Sequence, residues 1–337
     1  MLRCIDLAKR GAMYTSPNPQ VGSVVVHEGV IVGEGYHSKL GAPHAEVEAI
    51  RSVSDANVLK KSTLYVNLEP CSHHGRTPPC ADLILEHKIP RVVVANVDPN
   101  PSVSGKGLER LRSNGVEVIT GVCEAQATTI NRPFFHHQIH GRPYYLAKWA
   151  RTADGFMGRL EGSSGSRRIS SDIADRWVHQ LRAESDAILI GSRTANLDDP
   201  LLTTRLVDGP APIRVIIDPQ GDLRDDLRLF QDKGRNIVLG NESKIEGNTE
   251  FLRAETDLFL QLDQLLLDNE LIKILVEGGA ETLVRLYKAG RMDECVEIIS
   301  PNEWTEGIPA PIVKGEIQGV FDFGPDRAFK YLNPELE

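Results

Sequence analysis

The sequence predicts an α/β protein of two domains. Strand-like and helix-like segments alternate through most of the 337 residues. That length exceeds one domain of ~100–200 residues. Between residues 126 and 143 the alternation stops, in a stretch carrying Pro133, His136, His137, Gly141 and Pro143. The boundary is placed there, giving domains 1–143 and 144–337.

Residues 2–14 read as a helix through Leu2, Ile5, Leu7, Ala8 and Ala12, stopped by Ser16-Pro17-Asn18-Pro19. Val21 to His27 and Val30 to Tyr36 are β-rich and joined by Glu28-Gly29, a hairpin signal. A helix over 44–53, a strand over 63–68, a helix over 79–86 and a strand over 91–97 follow. A helix over 107–113 and a strand over 116–120 close the first domain, an α/β layer sandwich. The second series runs strand 144–149, helix 173–182, and strands 187–191, 213–218 and 236–239. Then come helix 258–267, strand 273–277, helix 280–288 and strand 295–300. The Gly- and charge-rich residues 219–257 read as loop-heavy.

The chain is 41% apolar and 25% charged, with a formal net charge of −9. Without a Lys/Arg stripe, this balance argues against a nucleic-acid partner and for a small-molecule substrate. Charges interrupt the N-terminal segment, and no apolar run reaches the ~20 residues of a membrane span. A cytoplasmic protein is expected. In that reducing setting the five cysteines are expected as thiols. Cys4, Cys123 and Cys295 read as plain buried thiols, which leaves Cys71 and Cys80 to be explained.

Those two bound the loop Pro70-Cys71-Ser72-His73-His74-Gly75-Arg76-Thr77-Pro78-Pro79-Cys80. The spacing is too wide for a zinc-ribbon knuckle. Upstream, His44-Ala45-Glu46 opens a predicted helix. His44, Cys71 and Cys80 make three zinc ligands, and catalytic zinc keeps its fourth position for water. A structural zinc site is the other reading of the same set, and His73 or His74 can stand in for His44. His44 and Cys80 fall at predicted helix starts, where the positive end favours thiolate over thiol. Residues two apart on a helix point ~200° away from each other. His44 and Glu46 therefore share a site only if His44 lies at the helix's very start. Glu46 would then carry a proton between water and a leaving amine, as in the H-x-E…P-C pattern of zinc nucleobase deaminases. Asn18, between two prolines, is a turn residue or a reader of a pyrimidine edge.

These features resemble the riboflavin-biosynthesis deaminase/reductase family. The resemblance lies in Ser16-Pro17-Asn18-Pro19-Gln20-Val21-Gly22, Gly35-Tyr36-His37, Pro43-His44-Ala45-Glu46 and the cysteine loop. It also lies in Val97-Asp98-Pro99-Asn100-Pro101 with Gly105-Lys106-Gly107. It implies a cytidine-deaminase-like three-layer sandwich, with zinc on His44, Cys71 and Cys80 and Glu46 as proton shuttle. It also implies a phosphoribosylated diaminopyrimidinone that loses its 2-amino group as ammonia. Asn18, His37, His73 and Arg76 are expected at the substrate.

The second half lacks G-x-G-x-x-G, so a standard dinucleotide fold is unsupported. It carries Lys148-Trp149-Ala150-Arg151-Thr152, Gly191-Ser192-Arg193-Thr194 and Val276-Glu277-Gly278-Gly279-Ala280. The Gly pair before a helix suits cofactor phosphates or is a plain strand–helix turn. The same resemblance implies a dihydrofolate-reductase-like domain that uses NADPH to reduce a ribosyl group to ribityl. By position it puts Lys148, Ser166, Arg182, Leu202, Arg205 and Glu277 at the substrate, with Lys148 in a catalytic role, it or a water supplying the proton. Thr152, Arg168, Thr194, Asp198 and Gly279, Ala280, Glu281, Thr282, Leu283, Val284 and Arg285 fall at NADPH. The chain departs from the family at Arg168, where many members carry Trp, at Thr152 and at Pro219. The Arg168 departure motivates an alternative, a deaminase with a non-catalytic assembly domain. A homo-oligomer is expected.

Overall fold

A computed structural model describes residues 1–72, 78–100, 103–160 and 162–336. The chain forms two units, Met1–Arg142 and Pro143–Glu337.

In the first unit the elements run α1 (Leu2–Ala8), β1 (Gly22–His27), β2 (Val30–Tyr36), α2 (Ala45–Arg51), β3 (Thr63–Leu68), α3 (Cys80–Glu86), β4 (Arg91–Asn96), α4 (Lys106–Ser113), β5 (Glu117–Ile119), α5 (Glu124–Ile130) and α6 (Arg132–His140). The β1–β2 hairpin turns through Glu28 and Gly29, both at positive φ, the geometry of a two-residue turn that matches strand twist. The sheet order is β2-β1-β3-β4-β5, with β3, β4 and β5 parallel. Ala49 and Ile50 of α2, Ala81 and Ile84 of α3, and Leu108 and Leu111 of α4 pack on one face with Leu64, Val66, Val92 and Val94. On the other, Cys4 and Leu7 of α1 meet Val24, and Ala127 of α5 meets Ala95. This is a three-layer sandwich. Helices α5 and α6 fill the segment where the strand–helix alternation of the sequence stops. No residue of α6 is buried, so it offers no apolar stripe to find.

The second unit runs β6 (Tyr144–Arg151), β7 (Phe156–Gly158), α7 (Asp172–Ala183), β8 (Ala187–Gly191), α8 (Ser192–Asp198), β9 (Ile213–Ile217), α9 (Arg228–Gln231), β10 (Asn236–Gly240), β11 (Lys244–Glu246), β12 (Thr249–Arg253), α10 (Leu258–Asp268), β13 (Lys273–Gly278), α11 (Ala280–Lys288), β14 (Glu294–Ile299), β15 (Ile308–Pro309), β16 (Val313–Lys314), β17 (Ile317–Phe323), β18 (Asp326–Leu332) and β19 (Glu335–Leu336). Ten strands form one sheet in the order β11-β12-β10-β9-β8-β13-β6-β14-β18-β17. Its centre, from β12 to β14, is parallel and its rims are antiparallel. Leu258, Leu262, Leu283 and Leu286 of α10 and α11 cover one face. Ala174 and Val178 of α7 and Leu227 and Leu229 cover the other. Burial on both faces explains the continuous apolar runs of β8, β9 and β13. Among the described residues no helix is long and apolar enough to cross a membrane.

Candidate active sites

In the first unit a cavity of ≈ 210 Å³ opens beyond the carboxyl ends of β3 and β4, the usual crevice of an α/β sheet. His44 is the N-cap of α2, with extended backbone (φ −69°, ψ 158°), and Glu46 lies in that helix's first turn. His44 thus sits before the first helical residue, which is the condition for sharing a site with Glu46. Cys80 is the first residue of α3. Its N–H donates to Cys71 Sγ at 3.3 Å, and the Ala81 N–H donates to the Cys71 carbonyl at 3.1 Å.

His44 Nδ1 lies 3.6 Å from Cys71 Sγ and 3.3 Å from Cys80 Sγ, and the three donor atoms fall within 4.8 Å of one another. Tetrahedral zinc, with bonds of about 2.3 Å to sulfur and 2.0–2.1 Å to nitrogen, asks for donor separations of about 3.5–3.8 Å. The set fits zinc, and two sulfurs with one imidazole are the ligand chemistry zinc takes. The contact between the two sulfurs pushes Cys71 below the usual thiol range and Cys80 above it. Glu46 is 3% exposed, and burial pushes its carboxyl up to about 7, against the pull of His44.

Asn18 and His37 line the same cavity. His37 Nδ1 is 3.1 Å from the Pro43 carbonyl, and Asn18 Nδ2 is 3.3 Å from His37 Nε2. Burial holds the ring below the ordinary imidazole pKa. A neutral ring then donates from Nδ1 and accepts the Asn18 amide at Nε2. His73 and Arg76, expected at the substrate, lie outside the described residues.

Two residues of this site carry no expectation from sequence. Glu69, the last residue before Pro70, lines the cavity and is 5% exposed. Its carboxylate accepts N–H bonds from Asp98 at 3.1 Å, Gly105 at 2.9 Å, Gly107 at 2.9 Å and Leu108 at 3.4 Å. With these four hydrogen bonds it ties the start of α4 to the cysteine loop. Phe134 of α6 also lines the cavity.

In the second unit a cavity of ≈ 550 Å³ lies at the carboxyl ends of β8, β9 and β13. Thr194, Asp198, Glu277, Gly279 and the first turn of α11 line it, as does Arg285. The Gly279 N–H donates to Thr194 Oγ1 at 2.7 Å. A Cβ on Gly279 would lie 2.9 Å from that oxygen, and one on Gly191 would lie 2.7 Å from Thr282 Oγ1. Glycine at both positions therefore lets β8, α8 and α11 close on one another. Volume, helix N-terminus and four lining arginines (Arg159, Arg167, Arg193 and Arg285) fit a phosphorylated dinucleotide.

Beside it, Arg182 of α7 grips Glu277 with two hydrogen bonds, at 2.7 and 2.8 Å. Its third donates to the Thr203 carbonyl at 3.2 Å, and Arg205 Nη1 stands 3.5 Å from Thr203 Oγ1. Burial opposes ionisation of Glu277, yet Arg182 and Lys148 hold its carboxyl at about 2. Half-buried Lys148 on β6 is pulled below the ordinary ammonium pKa by burial, with Glu277 opposing. His179, one turn before Arg182, is 3% exposed and pushed down to about 4 by burial and by Arg182 and Arg205.

Several expected residues fall elsewhere. Arg168 does not line this ≈ 550 Å³ cavity: its guanidinium pairs with Asp172 and Asp175 at the start of α7, while its neighbour Arg167 lines the wall and lies 3.5 Å from Asp198. Thr152 is wholly buried, and its hydroxyl accepts the Phe156 N–H at 2.9 Å, shaping the β6–β7 turn. Leu202 and Leu283 are packed in the core, and neither they nor Val284 line the cavity. Ser166 is exposed and accepts the Arg168 N–H at 3.1 Å.

Residues 1–96 match the family described as cytidine and deoxycytidylate deaminase zinc-binding region, and residues 143–302 match the RibD C-terminal domain. The chain is 42% identical over 317 residues to the riboflavin biosynthesis protein RibD of Aquifex aeolicus, covering 91% of this chain and 88% of that one. Against RibD of Escherichia coli it is 38% identical over 322 residues, 89% and 86% of the two chains. The solved structure of a diaminohydroxyphosphoribosylaminopyrimidine deaminase/5-amino-6-(5-phosphoribosylamino)uracil reductase from Thermotoga maritima superposes with a TM-score of 0.89. The two are 34% identical, over 98% of this chain and 96% of that one. RibD of Acinetobacter baumannii superposes with a TM-score of 0.88 at 31% identity, covering 99% and 97%.

Proposed function

The chain belongs to the RibD family, and from that premise we propose which of its residues carry out the two reactions. It is a bifunctional enzyme of riboflavin biosynthesis, a zinc-dependent deaminase and an NADPH-dependent reductase. We assign deamination of 2,5-diamino-6-(5-phosphoribosylamino)pyrimidin-4-one to Met1–Arg142. Reduction to 5-amino-6-(5-phosphoribitylamino)uracil falls to Pro143–Glu337.

In the first reaction His44, Cys71 and Cys80 would hold zinc, which would supply the Lewis acidity that makes water a nucleophile near neutral pH. Water oxygen bonds to the ring carbon bearing the 2-amino group, the carbon–nitrogen bond breaks, and ammonia leaves. Glu46 takes a proton from the water and passes it to the departing nitrogen. Asn18, turned by His37, presents its carbonyl oxygen to a ring N–H.

In the second reaction bound NADPH would supply the hydride that reduces C1 of the opened sugar. Gly279 and the first turn of α11 receive the cofactor phosphates, with Thr194 and Asp198 at the same wall. Arg182 and Arg205 take the substrate phosphate. Lys148 delivers the accompanying proton, and Glu277 keeps its ammonium in place. A non-catalytic second domain is not favoured, because Arg168, which motivated it, does not line the cofactor cavity.

The observation that carries the reading is one imidazole nitrogen within 3.6 Å of two sulfurs, beside the buried Glu46 carboxyl. A Glu46→Gln variant should keep its zinc and its NADPH consumption on the deaminated substrate, and release no ammonia. Ammonia release near the wild-type rate would remove Glu46 from the chemistry. The ligand set needs Cys71 and Cys80 reduced, which fits a cytoplasmic setting. We expect a homo-oligomer, because β17 ends the larger sheet with Ile317, Val320 and Phe321 exposed; light scattering gives the mass.

A further inference from the structure

We propose that Phe134 is the stacking wall for the pyrimidine ring in the deamination site. The inference rests on the deaminase reading of the His44–Cys71–Cys80 cavity. Residues 97–142 lie in neither matched family region, yet they contribute Phe134 and Asp98 to that cavity. The core of the unit is built without Phe134: α6 buries none of its residues, and the ring joins none of the apolar clusters. Its ring neighbour is Phe135, edge-on at 5.9 Å. A half-buried phenyl ring at a cavity wall, with no part in the core, is placed to meet a ligand.

The ring is also held in register with the polar side of the site. Asn131, the N-cap of α6, is 2% exposed. Its Oδ1 accepts the Gln20 N–H at 2.7 Å and its Nδ2 donates to the Gln20 carbonyl at 2.8 Å. Gln20 Nε2 donates in turn to the Ile130 carbonyl at 3.0 Å. The start of α6 is thereby fastened two residues from Asn18. A planar diaminopyrimidinone has hydrogen-bonding edges and two π faces. Asn18 and Glu46 address the edges, and among the described lining residues Phe134 is the one phenyl ring that can cover a face.

The test is steady-state ammonia release by full-length, zinc-loaded protein carrying Phe134→Ala, Phe134→Leu or Phe134→Trp. Losing one stacked ring should raise KM about tenfold in F134A, with a much smaller change in kcat. F134L, which keeps apolar bulk without a π face, should fall between, and F134W should return KM toward the wild-type value. Zinc content and NADPH consumption on the deaminated substrate should hold in all three. An unchanged KM in F134A and F134L overturns the inference. So does a raised KM accompanied by lost zinc, since the ring would then be structural. Wild-type protein that releases no ammonia sinks the deaminase reading itself, and the inference with it.

Discussion

Replacing Arg182 by Met isolates the cost of one buried ion pair. The two guanidinium–carboxylate hydrogen bonds to Glu277, at 2.7 and 2.8 Å, join side chains only 12% and 11% exposed, so solvent screens them little. The drop of the Glu277 carboxyl from its ordinary 4.5 to about 2 corresponds to about 3 kcal/mol at 1.36 kcal/mol per pH unit. Stranding a buried charge by removing its partner costs a similar ~3–5 kcal/mol. All three tryptophans, Trp149, Trp177 and Trp304, lie in the second unit, so their emission during urea unfolding reports that unit. Arg182→Met should lower the midpoint by roughly 1–2 M, taking a slope of about 2 kcal/mol per M. The pH dependence has a definite sign. A depressed carboxyl pKa contributes stability that is fully present above the unfolded value near 4.5. That stability is lost as pH falls toward about 2. The gap between wild type and variant should therefore be full at pH 7 and narrow below pH 4.5. Adding Glu277→Gln to the Met variant should recover part of the loss. A gap under about 1 kcal/mol at pH 7, or one that persists undiminished to pH 2.5, would refute the reasoning.

Two glycines give further tests. Gly107→Ala places a Cβ 2.1 Å from the carbonyl oxygen of Pro70, next to Cys71. It should cost about 1–3 kcal/mol of stability and lower zinc content with ammonia release; full zinc and wild-type deamination would contradict the Glu69 tie. Gly279→Ala crowds Thr194 Oγ1 at 2.9 Å and should weaken NADPH binding about tenfold by titration, at ~1.4 kcal/mol per decade, while deamination continues. Unaltered cofactor affinity would move the phosphates away from α11.

The sequence disclosed most where physics is local. Glu28-Gly29 announces its hairpin, and both residues take positive φ. The apolar runs of β4, β8, β9 and β13 announce buried strands. His44, Cys71 and Cys80 were legible because the metal dictates residue type, and helix starts dictate where thiolates sit. What was hidden depends on distant partners. Glu69 looks like one more carboxylate until the N–H groups of Asp98, Gly105, Gly107 and Leu108 fold over it. Arg167 and Arg168 are adjacent in an irregular segment without periodicity, and only Asp172 and Asp175 decide which one turns from the cavity. The crossover that sets β13 between β8 and β6 leaves no mark on any one segment. The edge strand β17, exposed along most of its length, lacks the alternation that betrays a half-buried strand.

X-ray absorption at the zinc edge on full-length protein addresses the metal centre most directly. Two sulfur scatterers at about 2.3 Å and two nitrogen or oxygen scatterers at about 2.0–2.1 Å are expected, with one zinc per chain. Replacing Cys71 by Ser should remove one of the sulfurs. A shell without sulfur, or one left unaltered by that substitution, would contradict the account.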